Sequence, residues 1–126
     1  MKKIVITQGT AEDFFFRGKA LARRLDRHER TGASDVAATI TFEDIGDLLH
    51  ALSPARLELI RVVKNEPGSI TGLAQRLNRD RSAVTRDVEL LRQLGILEVE
   101  DRPEPGHHRQ KWVSPRAPVM KLEALV

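Results

Sequence analysis

Apolar residues recur at helical spacing on both sides of Asn78, which predicts two helices joined by a tight turn. The first helix has an apolar side formed by Leu73, Ala74 and Leu77. The second helix has an apolar face formed by Val84, Val88, Leu91 and Leu94.

Residues that favour helix ends stand at the borders of both segments. Ser69 or Thr71 can cap the first helix, and Asp80 is expected to cap the second with its carboxylate. Asn78 tolerates the left-handed backbone that turns a chain out of a helix. Gly95 is expected to end the second helix in the same conformation.

The remaining surface of the second helix is polar and basic. It carries Arg81, Ser82, Thr85, Arg86 and Glu89. Residues 69–95 therefore have the sequence form of a helix-turn-helix, whose second helix can enter the major groove of DNA. The alternative is a plain helical hairpin with a solvated arginine face, because short motifs give false positives.

A β-hairpin with a basic tip is predicted directly after Gly95. Residues 96–99 suit a strand, and residues 111–114 suit a return strand that ends at Pro115. The loop between them is rich in proline, glycine and charge. The basic residues at this end of the hairpin are Arg102, His107, His108, Arg109 and Lys111. Such a loop can contact the DNA backbone or minor groove as a wing, and the alternative is an exposed hairpin whose charges only keep it soluble.

Residues 43–114 resemble the winged-helix domain of MarR-like and ArsR-like transcription regulators of bacteria and archaea. The segment DRSAVTRDVELLRQLGIL is close to the recognition-helix pattern of the MarR group. The resemblance implies sequence-specific binding of double-stranded DNA by a homodimer. Its base-facing helical turn corresponds to Ser82, Ala83, Thr85 and Arg86, and its wing-tip arginine to Arg109.

Two departures from the MarR pattern limit what the resemblance implies. Asn78 stands where the family usually has glycine, although asparagine tolerates the same backbone conformation. The large dimerisation helices of MarR proteins are absent, so neither their dimer geometry nor their ligand pocket is expected here.

The cationic residues of the two predicted motifs divide into two roles. Arg81 or Arg86 is expected to read guanine through paired hydrogen bonds. Contacts with phosphates are expected from Arg79, Arg102, Arg109 and Lys111. Two copies of the helix would occupy successive major grooves about one helical turn (~34 Å) apart.

The first 42 residues have a strand–helix–strand pattern. Residues 3–7 and 36–42 suit strands, and residues 11–29 suit an amphipathic helix. An isolated two-stranded sheet is marginally stable, so these strands need further partners. One hypothesis is an oligomerisation or partner-binding module that pairs with a second copy or another protein. The alternative is that this segment packs against the winged helix of its own chain.

Two more helices are predicted before the helix-turn-helix. One covers residues 43–51, and the next starts at Ser53-Pro54, where serine caps and proline takes the first helical position. In the tail, the spacing of Val119, Leu122 and Leu125 favours a helical turn over a strand. The expected fold class is α+β. It has three parts: a strand–helix–strand extension (1–42), a winged helix-turn-helix domain (43–114) and a C-terminal tail (115–126).

The charge of the whole chain does not by itself indicate a nucleic-acid partner. The 126 residues are 40% hydrophobic, as expected for a globular fold, and the net charge is only +3. The local distribution is more informative, because residues 102–121 hold five Lys or Arg and one Glu. Such a cluster favours DNA binding that weakens steeply with salt.

The sequence has no pattern typical of an enzyme, and we expect no catalytic residue, no metal and no cofactor. Cysteine is absent, which excludes disulfides and thiol catalysis, and no histidine stands at zinc-ligand spacing from a carboxylate. No apolar run approaches the ~20 residues needed to span a bilayer. We therefore expect a cytoplasmic protein that does not contact the membrane.

The expected function is a DNA-binding transcription regulator, acting as a repressor or autoregulator. The alternative is an antitoxin that binds a partner toxin protein while autoregulating its operon. In that case residues 11–29 or 115–126 are the candidates for covering the toxin. A ligand-sensing regulator is less favoured, because one Trp, no Tyr and no Cys provide no evident effector site or redox switch.

Overall fold

The computed structural model of the chain describes residues 1–9, 35–103 and 109–124. This part contains four helices and two three-stranded sheets, so the predicted α+β class is confirmed. The helices are α1 (Ile45–Ala51), α2 (Pro54–Asn65), α3 (Ile70–Leu77) and α4 (Arg81–Leu94). The strands are β1 (Lys3–Gln8), β2 (Val36–Phe42), β3 (Gly68–Ser69), β4 (Leu97–Arg102), β5 (Gln110–Pro115) and β6 (Val119–Ala124). The predicted helix over 11–29 lies outside the described residues.

The chain divides into two compact units. Residues 1–51 and 117–126 form one, here called the sheet unit, and residues 52–116 form the other, the helical unit. These borders differ from those expected at 42/43 and 114/115, because α1 and the tail both belong to the sheet unit. In the sequence, the helical unit is thus a continuous insertion between α1 and β6 of the sheet unit.

A parallel sheet in the order β2-β1-β6 organises the sheet unit. The two predicted strands are confirmed, and both edges of the central strand β1 are paired within the chain. Ile4 and Ile6 of β1 are fully buried, as expected of a central strand in a parallel sheet. The helical turn predicted for the tail is wrong: residues 119–124 pair with β1, and this long-range pairing overrides the local spacing.

The helical unit combines α2, α3 and α4 with the antiparallel sheet β3-β5-β4. Its core side chains, all fully buried, include Leu59, Val63, Leu73, Val84, Leu91 and Val113. The start of α2 is as predicted: Pro54 takes the first turn, and the Ser53 hydroxyl accepts a hydrogen bond from the Arg56 N–H at 3.4 Å.

Three helix ends were predicted for α3 and the start of α4, and two of these predictions are confirmed. The Ser69 hydroxyl caps α3 by accepting from the Gly72 N–H at 3.0 Å, and Asn78 is left-handed with φ 52°. Asp80 holds the N-cap position of α4, but its carboxylate accepts no amide of the helix. The carboxylate instead accepts a hydrogen bond from the Ser82 hydroxyl, which competes with the helix amides for the same oxygen.

Gly95 ends α4 in the left-handed conformation, with φ 84°. Its N–H donates to the Arg92 carbonyl at 3.0 Å, and the N–H of Ile96 donates to the Leu91 carbonyl at 2.9 Å. This pattern turns the chain so that Ile96 is buried and β4 starts one residue later. The position and direction of the β4–β5 hairpin therefore depend on this glycine.

Replacing Gly95 with alanine is expected to lower the free energy of unfolding by about 1–2 kcal/mol, because a Cβ is disfavoured in the left-handed region. The new Cβ would also meet Arg116 Nη1 at 2.7 Å. Gly95→Asn is the matched control, since asparagine tolerates this conformation, and it should lose clearly less stability. Urea denaturation measures both, and equal losses for Ala and Asn would contradict the backbone explanation.

Candidate nucleic-acid interface

Helix α4 has one buried side and one side open to solvent. The buried side carries Val84, Asp87, Val88 and Leu91. The exposed side of the first two turns carries Arg81, Ser82, Thr85 and Arg86, and Ala83 is half-buried between the two sides. The structure therefore brings together the four exposed residues that the sequence predicted for a DNA-facing surface, here called the α4 face.

The two arginines of the α4 face are available for a ligand. Among the described residues, neither Arg81 nor Arg86 has a hydrogen-bond or ion-pair partner for its guanidinium. The Thr85 hydroxyl donates to the Arg81 carbonyl at 2.8 Å, which leaves its oxygen lone pairs exposed as acceptors. Two exposed cations and polar hydroxyl groups are thus presented on adjacent turns of one helix.

Glu89 is the acidic residue on the exposed side of α4, one turn beyond the α4 face. Arg92 donates to it through Nε at 2.9 Å, and this hydrogen bond holds the pKa of Glu89 at about 2, below its ordinary value of 4.5. The positive charge of Lys111 acts on Glu89 in the same direction. The Glu89 carboxylate is therefore ionised at neutral pH and paired with Arg92 rather than with the cations of the α4 face.

An open groove lies beside the α4 face, at the turn from α3. Its volume is about 470 Å³, and it is lined in part by Thr71, Gln75, Asn78 and Arg81. Thr71 and Gln75 are exposed on α3 and were not predicted as site residues. The signal that would have found them is their position on the polar side of the first predicted helix, opposite Leu73.

Asp87 lies on the buried side of α4 and is only 9% exposed. Its carboxylate accepts hydrogen bonds from Arg56 Nε of α2 at 3.1 Å and from Arg79 Nη2 of the α3–α4 turn at 2.7 Å. The sequence reasoning missed Asp87 and Arg56. The available signal was that Asp87 lies on the same helical face as the apolar residues Val84 and Leu91. A carboxylate on a buried face requires cationic partners, so its position predicts a buried ion pair.

Arg79 contacts a different kind of group in the structure from the one that the sequence predicted. The sequence predicted a phosphate contact, whereas the structure engages the guanidinium in a half-buried ion pair with Asp87. Its Nη1 atom is buried without a hydrogen-bond partner among the described residues. The direction of this side chain is therefore set by Asp87, and we assign Arg79 to the internal support of α4.

The β4–β5 hairpin presents a second group of cations. Arg102 lies over the Trp112 ring at 4.4 Å and within 3.7 Å of the Glu100 carboxylate, which orients its guanidinium. Arg109 and Lys111 are exposed near the start of β5 and have no ion-pair partner in the part of the chain that the structure describes. His107 and His108, which were predicted to contact DNA, lie outside the described residues.

Two further findings concern the described residues. No group of three or more His, Cys, Asp or Glu side chains in residues 1–9, 35–103 and 109–124 is placed to hold a metal ion. None of the helices described here is long and apolar enough to cross a membrane.

Comparison with known proteins identifies the family. The HVO_A0114 family matches residues 51–114, which is half of the chain and nearly the whole helical unit. The chain therefore belongs to the HVO_A0114 family. A comparison with curated proteins finds no match.

Part of the chain is also similar to solved structures. One is a possible transcriptional regulator from Methanosarcina mazei Go1, with 23% identity, a TM-score of 0.48, and coverage of 59% of this chain and 66% of that one. Another is M. tuberculosis Rv0081, with 17% identity, a TM-score of 0.49, and coverage of 58% of this chain and 70% of that one.

Replacing Asp87 with asparagine is expected to lower the free energy of unfolding by about 2 kcal/mol, because Arg56 and Arg79 would both lose the negative charge of the buried carboxylate to which they donate. Glu89→Gln is the matched control: it removes the same charge from the same helix, but its ion pair with Arg92 is exposed and contributes little. Urea denaturation of both variants makes the comparison. A loss for Asp87→Asn no larger than that for Glu89→Gln would contradict the supporting role of Asp87.

Proposed function

We propose that residues 52–116 form a winged helix, and that the protein is a transcription regulator that binds double-stranded DNA sequence-specifically. The observation that carries the proposal concerns Arg81 and Arg86, on the exposed first turns of a helix whose other side is buried: neither guanidinium has a partner within residues 1–9, 35–103 and 109–124. An α-helix fits the major groove, and arginine is the side chain most often used there to recognise guanine.

In the proposed complex, the N-terminal half of α4 lies in the major groove. Arg81 and Arg86 donate paired hydrogen bonds to the O6 and N7 atoms of guanine. The hydroxyl oxygens of Ser82 and Thr85 accept hydrogen bonds from base amino groups, and Ala83 offers a methyl group to thymine. Thr71 and Gln75 border the neighbouring groove, where the DNA backbone would run beside α3.

The β4–β5 hairpin acts as the wing in this proposal. Arg102, Arg109 and Lys111 contact phosphates, which adds affinity without reading the sequence. The Trp112 ring supports Arg102 and limits the freedom of that side chain before DNA arrives. We also include His107 and His108 in the proposed wing, on the basis of their place in the basic loop between β4 and β5.

The regulatory step in this proposal is occupation of a promoter by a homodimer, which represses the genes behind it, including the protein's own. Two copies match a two-fold symmetric operator, because each copy reads one half-site. We propose no catalytic step and no cofactor. We do not extend the proposal to a toxin partner, because no feature of the described residues favours one.

Replacing Arg86 with alanine is expected to weaken binding to a preferred duplex by about 1–3 kcal/mol and to relax the choice of one base pair. Arg61→Ala is the matched control, because Arg61 is an exposed arginine of α2 in the same unit. The duplex is selected by the wild-type protein from a random-sequence library, and affinity is measured by fluorescence anisotropy. Equal losses for both variants, or none for Arg86→Ala, would contradict the proposal.

Replacing Lys111 with alanine is expected to weaken binding to the selected duplex and to an unrelated duplex by the same factor. The slope of log affinity against log salt should decrease by about 1 in magnitude, since one phosphate contact is lost. Lys64→Ala, which removes an exposed lysine from α2, should leave the slope unchanged. Anisotropy titrations over a range of salt concentrations measure both slopes. An unchanged slope for Lys111→Ala would remove the hairpin from the proposed interface.

A further inference from the structure

Strand β6 presents an open edge in the sheet unit. It pairs with β1 along one side, and no strand among the described residues pairs with its other side. A strand edge of this kind has unpaired backbone N–H and C=O groups, and proteins normally cover or block it. The strand also exposes a large apolar side chain, because Leu122 is 46% exposed.

The charges along β6 make it complementary to itself in one register. In an antiparallel pair, residues whose backbone N–H and C=O groups point towards the partner strand lie opposite each other. When the two strands are identical, the two-fold axis therefore lies between one residue and its own copy. An axis at Leu122 places Lys121 opposite Glu123 of the partner subunit, and the reverse pair forms by symmetry. An axis at Lys121 or at Glu123 would place two like charges directly opposite each other, which is destabilising.

We propose that β6 is a dimerisation edge, and that a second copy of this chain pairs with it antiparallel about Leu122. The pairing joins the sheets of two subunits into one continuous sheet. Two Lys121–Glu123 pairs lie on one face of the joined sheet. On the other face, Leu122 meets its own copy and Met120 lies opposite Ala124 of the partner subunit.

The opposite edge of the sheet does not offer the same complementarity. Strand β2 has the sequence VAATITF and contains no charged residue, so no charge pair selects a register there. An alternative role for Lys121 is to block edge pairing, as exposed lysines do on many edge strands. The two roles predict different states of the wild type: a dimer if Lys121 pairs with Glu123 of the partner subunit, and a monomer if Lys121 blocks pairing. The proposal rests on the sheet unit alone and does not depend on DNA binding.

The test reverses one charge at a time in the full-length protein. The wild type is expected to sediment as a dimer, and K121E should raise the dissociation constant by about tenfold or more, because like charges then face each other twice. E123K should do the same for the same reason. K64E, which reverses an exposed charge on α2, is the matched control and should leave the dimer unchanged. Sedimentation equilibrium measures the dissociation constants, and far-UV circular dichroism verifies that each variant is folded.

A double variant and a mixture of the two single variants distinguish the loss of a charge pair from a general disturbance of the strand. The double variant K121E/E123K restores opposite charges and should recover the wild-type dissociation constant. A mixture of K121E and E123K should form heterodimers, although neither variant dimerises well alone. A monomeric wild type, a K121E dimer as tight as the wild type, or a mixture that stays monomeric would each overturn the proposal, whatever the outcome for DNA binding.

Discussion

The buried carboxylate of Asp87 is the constraint on which the proposed DNA-binding surface depends. A carboxylate out of water is costly unless cations and hydrogen bonds compensate it, and here Arg56 and Arg79 both donate to it. These contacts join α4 to α2 and to the turn that precedes α4. Together with the buried side chains of Val84, Val88 and Leu91, they fix which side of α4 faces the core, and consequently which side faces solvent. The exposure of Arg81 and Arg86 follows from that orientation.

The local features of the helical unit could be predicted from the sequence because they depend on neighbouring residues. Ser53-Pro54 starts a helix, Asn78 turns the chain after α3, and Gly95 ends α4, each through its own backbone preferences. The cap at Asp80 was expected for the same reason and was wrong. The nearby hydroxyl of Ser82 donates its hydrogen bond to the Asp80 carboxylate instead. Residue propensities do not predict whether a side-chain hydroxyl or a helix amide will occupy that carboxylate.

Features that depend on distant parts of the chain could not be predicted. Strand β6 forms because the tail pairs with β1 at the other end of the sequence, and the spacing within the tail alone favoured a helical turn. The same limit applies to the candidate site. Helical periodicity correctly separated Arg81 and Arg86 from the apolar side of α4, but it could not predict that Arg79 pairs with Asp87. A basic residue in a turn is equally suited to a phosphate and to a buried carboxylate, and only the three-dimensional arrangement decides between them.

The most direct test of the account is an NMR titration of the labelled protein with the duplex that it selects. If α4 is held by Asp87 with its basic side outward, the largest amide shift changes should fall on residues 81–86, with smaller ones at Arg102, Arg109 and Lys111. The amide signals of residues 54–65 should change little. Shift changes concentrated in α2, or none in the first two turns of α4 at saturating DNA, would contradict the account.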